Sequence, residues 1–286
     1  MKKLNVGAKK VALGMFISLF SIAAYSQFYI NVGGGYNLGI ATQSLLANYE
    51  STNDIEKIEN VKTSLGKGLN FGLNLGYMFN GNIGIDLQCS YLLGDETTIE
   101  YKDTYTSTML GTNYYDYEKI TLKSQMVRIN PSLIIASGFD KLDPYAKFGV
   151  IFGFGSINLN YLDEEYENNQ LEDKEVVKWK MDGGMAFGIS SALGLMYHIS
   201  DLISVYGELD LVGMSYAPIK GVMTEYTVNG ADKLPNLTTD DKEIDFVDDI
   251  TYDYNNPPSS AEPSKELKNY LPYSSIGLNI GVRFSF

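Results

Sequence analysis

The sequence predicts an all-β protein, specifically an eight-stranded antiparallel up-and-down transmembrane β-barrel with long extracellular loops. Three observations predict this class. Eight segments alternate between large apolar residues and small or polar residues. Short and long connections follow one another in turn along the chain, as they do in a meander that crosses a membrane. The net charge lies in the long connections. Transmembrane helices are not expected, because no stretch of ~20 apolar residues follows the N-terminal region.

Each of the eight predicted strands has two different faces. The strands cover 28–38, 69–79, 83–93, 127–135, 146–154, 187–198, 204–211 and 275–286. One face is rich in Phe, Leu, Ile and Tyr, whereas the other is mostly Gly, Asn and Ser. This second face carries too little charge for a solvated surface, but its side chains are small enough to fill a narrow barrel. We therefore expect the apolar face to contact lipid. The alternative is a soluble β-protein with its apolar face inside.

The connections divide the charge unequally. Short turns are expected near 80–82, 137–143 and 199–202, and long segments at 39–66, 94–117, 157–179 and 217–270. The long segments hold 27 acidic and 10 basic residues, whereas the rest of the chain after residue 26 holds 8 of each. The wall is thus neutral and the loop end strongly anionic. The net charge of −13 argues against nucleic acid as a partner.

The first 26 residues have the pattern of a secretory signal peptide. Four lysines precede an apolar stretch at 11–25, and Ala24 and Ser26 place small residues at the junction. We expect cleavage before Gln27, which leaves a barrel domain at 27–286. A membrane anchor, the alternative, would need a longer apolar core.

Six charged residues lie on the polar parity of the predicted strands and should therefore face the lumen. They are Asp86, Arg128, Lys147, Glu208, Asp210 and Arg283. Isolated charges are costly to bury in a narrow interior, so we expect these six to pair as a lumen charge network that plugs the barrel. The predicted partner of Arg128 is Asp86. A charged pore lining is the alternative interpretation.

The export signal, the eight strands and the terminal strand from Ser275 to Phe286 together resemble the outer membrane β-barrel superfamily of Gram-negative bacteria. The resemblance is to the small eight-stranded, porin-like group that includes the OmpA transmembrane domain and OmpX. It implies a location in the outer membrane, with outer membrane lipid and the barrel-assembly machinery as partners. It also implies that Phe284 and Phe286 form the assembly signal which that machinery reads.

Two functions remain open at this stage. The first is a structural or surface-interaction (adhesin-like) role, in which the anionic loops meet an extracellular protein or cation. The second is a small-solute channel. We expect no enzyme and no catalytic, cofactor or metal residues, because the single histidine, His198, lies beside a predicted short turn and no Ser/His/acid arrangement accompanies it.

The acidic stretch 240–249 lacks the Gly and Glu spacing of a calcium loop. It is therefore predicted to be a solvated, mobile loop, and the turn-forming stretch 255–260 just after it supports that interpretation. Calcium binding by this segment is left open.

Overall fold

The computed structural model describes residues 27–40, 46–53, 55–107, 111–251 and 257–286. The predicted signal peptide lies outside the described residues, as do Asn255 and Asn256 of the stretch 255–260.

The described residues form seventeen strands and two short helical turns. The strands are β1 Gln27–Gly39, β2 Leu46–Thr52, β3 Ile55–Val61, β4 Gly68–Met78, β5 Ile83–Gly94, β6 Thr97–Ser107, β7 Thr112–Ala136, β8 Leu142–Glu167, β9 Gln170–Asp182, β10 Ala186–His198, β11 Ile203–Tyr216, β12 Lys220–Val228, β13 Ala231–Asp232, β14 Glu243–Val247, β15 Ser264–Leu267, β16 Leu271–Pro272 and β17 Ser275–Ser285. A 3₁₀ turn covers Leu234–Asn236, and the helical turn α1 covers Thr239–Lys242. No helix in the described ranges is long and apolar enough to cross a membrane.

Eight of these strands form the barrel wall. Strands β1, β4, β5, β7, β8, β10, β11 and β17 pair antiparallel in that order. Strand β17 then pairs with β1 again, with Val282 opposite Val32. The predicted class, an all-β antiparallel membrane barrel, is confirmed.

The wall has an apolar outer surface and a polar interior. Outward side chains such as Phe28, Ile189 and Ile280 are 63%, 68% and 69% exposed, whereas the inward Asn31 and Asn74 are buried. Burying a large apolar side chain is worth about 1.5–3 kcal/mol, so an exposed belt of this kind is stable only against an apolar solvent. The belt is therefore the lipid-facing surface, with the two faces oriented as predicted.

Inward glycines make room for inward tyrosines. A Cβ atom at Gly76 would lie 1.9 Å from Cζ of Tyr29, and one at Gly194 would lie 2.1 Å from Cζ of Tyr145. The rings of Tyr29 and Tyr145 can lie inside the wall only because these two positions lack side chains. The inward-facing glycines thus leave the space that the two tyrosine rings occupy inside the barrel.

The predicted long loops are largely β-structure. Strands β7 and β8 contain 25 and 26 residues, far more than the ~9–11 residues that cross a bilayer. Beyond the membrane they pair with β6 and β9, and β2, β3, β12, β14 and β15 extend the same sheet. We call the part of this sheet outside the wall the extracellular sheet. It escaped prediction because both of its faces carry polar residues, so no apolar alternation marks it.

The prediction of a mobile loop at 240–249 is wrong for the described residues. The segment forms α1 and then β14, which pairs with β12 and β15. The backbone N–H of Thr238 donates to the carboxylate of Asp241 at 3.0 Å, which caps the first turn. Acidic residues at a helix start and the apolar Ile244 and Phe246 in β14 favour order despite the charge.

Candidate functional site: the lumen and the extracellular sheet

All six predicted lumen residues lie on the inward parity of the wall. Asp86, Arg128, Lys147, Glu208 and Arg283 are buried, and Asp210 is partly buried. They form two connected groups, one toward the periplasmic end and one nearer the middle of the barrel.

The first group centres on Lys147. Its Nζ lies 2.9 Å from Oε2 of Glu208 and 3.8 Å from Oδ1 of Asp86. The hydroxyl of Tyr29 donates to Asp86 at 2.8 Å, and that of Tyr145 donates to Glu208 at 2.9 Å. One ammonium group therefore lies between two buried carboxylates, and a tyrosine hydroxyl donates to each of them.

Arg283 completes this first group from β17. Its Nε donates to Oδ1 of Asn31 at 2.9 Å, and its guanidinium lies 3.6 Å from the ring centroid of Tyr29. A cation over an aromatic face is favourable, so Arg283 is stabilised without a carboxylate in direct contact.

The second group is a relay of amides between two opposite charges. Nη2 of Arg128 donates to Oδ1 of Asn70 at 2.5 Å, and Nδ2 of Asn70 donates to Oδ1 of Asn279 at 3.3 Å. Nδ2 of Asn279 then donates to Oδ1 of Asp210 at 2.6 Å. The relay crosses β7, β4, β17 and β11 and links Arg128 to Asp210.

The predicted pair of Arg128 with Asp86 is therefore wrong, and strand register explains why. Arg128 lies opposite Ser90 on β5, whereas Asp86 lies opposite Ser132. The two charged residues are thus offset by four positions, about 13 Å along the strands.

Two buried apolar clusters that sequence reasoning missed lie in the barrel on the extracellular and periplasmic sides, and we call them the extracellular and periplasmic layers. The extracellular layer consists of Leu65, Leu92, Leu122, Met126, Ile151, Ile157, Ala186, Val212, Met214, Tyr216 and Tyr273. The periplasmic layer consists of Tyr29, Ile134, Ala136, Tyr145 and Met196. Met126 and Ile134 share the parity of Arg128, so apolar residues at inward positions were the signal that could have revealed the layers.

Tyr216 and Tyr273 fix the extracellular layer. The hydroxyl of Tyr216 donates to the carbonyl oxygens of Gly155 and Gly183 at 2.7 and 2.6 Å. The ring of Tyr216 packs edge to face on that of Tyr273, with centroids 5.7 Å apart. These contacts join the end of β11 to β8 and to the turn between β9 and β10.

The remaining predicted residues lie at the periplasmic end. Nδ1 of His198 is 2.8 Å from Oγ of Ser204, next to the short turn at 199–202. Phe284 and Phe286 point outward into the apolar belt, and the N–H of Phe286 donates to the carbonyl of Phe28 at 2.8 Å. Their reading by the assembly machinery stays a prediction.

The inner face of the extracellular sheet is acidic. Its side chains lie on the same side of the strands as the side chains that face the lumen. Asp103, Asp116, Glu165 and Asp173 lie directly opposite one another on β6, β7, β8 and β9. A second row on the same face holds Glu118, Asp163 and Glu175. No ion pair is formed by any of the seven within the described residues. We call these seven residues the acidic face.

Partial burial and crowding raise the pKa of four carboxyl groups of the acidic face. Partial burial, followed by the like charges of Asp103 and Asp163, raises the pKa of Asp116. Burial also raises the pKa values of Asp163, Glu165 and Glu175, with further increases from neighbouring carboxylates. Like charges directly opposite on adjacent strands destabilise a sheet. The acidic face is thus held together against its own repulsion.

The outer face of the same sheet has the opposite character. Lys102 pairs with Glu100 at 2.6 Å and Lys174 pairs with Glu164 at 2.7 Å. Hydrogen bonds from these lysines lower the pKa values of Glu100 and Glu164. The outer face is therefore balanced in charge, and the inner face is not.

We expect the extracellular sheet to become more stable on mild acidification. A raised pKa means that the folded sheet binds the proton more tightly than the unfolded chain does. Stability should rise as the pH falls through the raised pKa values of Asp116, Asp163, Glu165 and Glu175, and the gain is complete below the ordinary values of 3.8 for Asp and 4.5 for Glu. Amide hydrogen exchange in β7–β9, corrected for intrinsic rates, should slow from about pH 7 to about pH 5.

The matched variant for this experiment is Asp163→Asn with Glu165→Gln, which should reduce the pH dependence of exchange. Protection that is unchanged or weaker at the lower pH would contradict the prediction.

An antiparallel wall that is apolar outside and polar inside defines a transmembrane barrel of the outer membrane type. The chain belongs to the outer membrane protein beta-barrel domain family, whose model matches residues 11–232. The protein is therefore an outer membrane protein. No curated protein matches the chain. Within the described residues, no group of three or more His, Cys, Asp or Glu side chains is arranged to hold a metal ion.

The chain also shows low similarity to several solved structures, among them the following two. One is Ail, the attachment invasion locus protein of Yersinia pestis, in complex with the heparin analogue sucrose octasulfate; identity is 8%, coverage is 92% of this chain and 99% of that chain, and the TM-score is 0.33. The other is CarO2 of Acinetobacter baumannii; identity is 15%, coverage is 90% of this chain and 99% of that chain, and the TM-score is 0.32.

Proposed function

We propose that this outer membrane barrel acts at the cell surface by binding a positively charged extracellular protein through the acidic face. The observation that carries the proposal is the arrangement of seven carboxylates on one face of four adjacent strands. Clustered charge of one sign raises the local concentration of an oppositely charged partner and speeds its association. A cationic partner would also relieve the repulsion within the face.

The packing of the lumen favours a surface-binding role over a channel function. Apolar layers lie at both ends of the charged interior, and an eight-stranded barrel leaves a lumen that side chains nearly fill. We also propose that the protein has no enzymatic activity. The bond between His198 and Ser204 beside a short turn supports a structural role for the histidine.

The binding test uses the refolded protein in detergent micelles and a decalysine peptide as the probe. A variant with Asp116→Asn, Asp163→Asn and Glu165→Gln should bind the peptide on the order of tenfold more weakly, a loss of about 1.4 kcal/mol. The control removes the same charge elsewhere through Glu50→Gln, Glu59→Gln and Glu172→Gln, and it should bind nearly as the wild type does.

Equal losses in the two variants would show that only net charge matters and would overturn the site. Single-channel recording of the wild type in a planar bilayer should show no discrete openings. Regular openings would favour the small-solute channel instead.

A further inference from the structure

Three tyrosines form a patch on the outer face of the extracellular sheet. The rings of Tyr115 and Tyr117 on β7 are within 9° of parallel, with centroids 6.4 Å apart. Tyr166 lies opposite Tyr115 on β8, with ring centroids 5.7 Å apart. We call these three residues the tyrosine platform. All three are partly exposed, so the platform offers aromatic surface to a partner.

Charged neighbours hold the platform in place. The hydroxyl of Tyr117 donates to Oε1 of Glu100 at 3.0 Å, and Lys102 lies 5.6 Å from the ring centroid of Tyr117. On the next strand, the hydroxyl of Tyr166 donates to Oε2 of Glu164 at 3.0 Å. Rings that are already fixed lose little conformational entropy when a ligand binds.

These charges are paired before any ligand arrives. Glu100 bonds Lys102 and Glu164 bonds Lys174, so the platform attracts neither a cation nor an anion strongly. The paired groups still offer ammonium donors and carboxylate acceptors around the aromatic surface. The platform therefore suits a neutral ligand that has many hydrogen-bonding groups.

A polar pocket lies beside the platform. Glu100 and Lys102 line it from β6, and Asn48, Glu50 and Lys57 line it from β2 and β3. A ligand stacked on Tyr117 could thus place polar groups among these side chains. Aromatic surface next to a polar pocket matches a sugar ring, whose C–H bonds pack on the negative face of an aromatic ring while its hydroxyls form hydrogen bonds.

The position of the platform selects which sugar it meets. Tyr117 lies ten residues beyond Val127, the last exposed large apolar residue on the outer face of β7. Ten residues of tilted strand raise it about 25 Å above the apolar belt. The outer face continues the lipid-facing parity, so the platform looks sideways over the membrane, at the level of the sugars of neighbouring glycolipids.

We propose that the tyrosine platform binds the carbohydrate of outer-leaflet glycolipids by stacking a pyranose ring on Tyr115 and Tyr117. The site is separate from the acidic face, because the two lie on opposite faces of the same strands. Loss of sugar binding would therefore not contradict binding of a cationic protein by the acidic face, and the reverse also holds.

The test titrates the refolded protein in micelles with lipid-free core oligosaccharide of lipopolysaccharide, followed by NMR. Tyr115→Ala and Tyr117→Ala should each raise the dissociation constant about tenfold, and Tyr117→Phe, which keeps the ring, should raise it less. The matched control is Tyr105→Ala, because Tyr105 stacks on Tyr114 on the inner face with centroids 4.9 Å apart. This control should bind as the wild type does.

A direct measurement covers the case in which an alanine variant does not fold. In the wild type, intermolecular NOEs should join sugar protons to the ring protons of Tyr115 or Tyr117. Absence of binding, NOEs to Tyr105 alone, or equal weakening by Tyr105→Ala would overturn the proposal. Binding of soluble sialyllactose but not of the core oligosaccharide would also overturn it, since the carbohydrate would then come from another source.

Discussion

Arg128→Ala should unfold at a clearly lower urea concentration than the wild type, with a loss of about 3–5 kcal/mol in the free energy of unfolding. The substitution removes the cation at one end of the amide relay and leaves Asp210 without the charge that balances it. Asn70 also loses a charged donor. The unfolding midpoint can be read from the heat-modifiable band on a gel or from tyrosine fluorescence.

The matched control is Lys57→Ala. The side chain of Lys57 is 67% exposed and contacts Glu59 only at 3.6 Å, so its removal should change stability by less than about 0.5 kcal/mol. If Arg128→Ala kept the wild-type midpoint and changed the current through a bilayer, water would be hydrating the lumen charges. The plug would then be wrong and the channel favoured.

Lys147→Met should lower the free energy of unfolding by a similar amount. Methionine keeps much of the apolar stem but removes the ammonium that lies between Glu208 and Asp86. Two carboxylates would then be buried without a cation between them, at a cost of at least about 3 kcal/mol.

A double variant separates charge from packing at this position. Adding Glu208→Gln to Lys147→Met removes one of the two uncompensated charges, while Gln can still accept a hydrogen bond from Tyr145. The double variant should therefore be more stable than Lys147→Met alone. A double variant of equal or lower stability would show that packing around Lys147, and not its charge, stabilises the lumen.

The membrane wall could be predicted from the sequence because its two faces differ so strongly. Alternation such as Ile276, Leu278 and Ile280 against Gly277 and Asn279 specifies a strand, its parity and its lipid-facing side together. The same parity placed all six lumen charges inside the barrel.

Partner choice could not be read in the same way. The alternation of the strands shows that Asp86 and Arg128 both face the lumen. Whether they are close enough to pair depends on the register of β5 against β7, and a register shift of two residues would keep both side chains inside the barrel. Contacts between wall strands that are far apart in the sequence, such as Asn70 on β4 with Asn279 on β17, depend further on the pairing of β17 with β1 that closes the barrel.

The extracellular sheet was missed for a different reason. Strand β7 changes from apolar alternation at Val127 to charged and aromatic residues on both faces at Asp116 and Tyr117, and this pattern is also typical of a solvated loop. The acidic face appears only when four strands are aligned. Its residues are spread from Asp103 to Glu175, with no local motif to mark them.

The unbroken course of β7 and β8 has a mechanical consequence. Their ladder runs from Ala136, opposite Tyr145, to Tyr114, opposite Glu167, apart from a gap at Asn130 and Pro131. A pull on the tip would load rows of interstrand hydrogen bonds in shear along the strand axes, so many would resist together. A partner bound at the tip is thus connected to the membrane-embedded wall by a stiff pair of strands. Force applied outside the cell is therefore transmitted to the membrane with little extension of the protein.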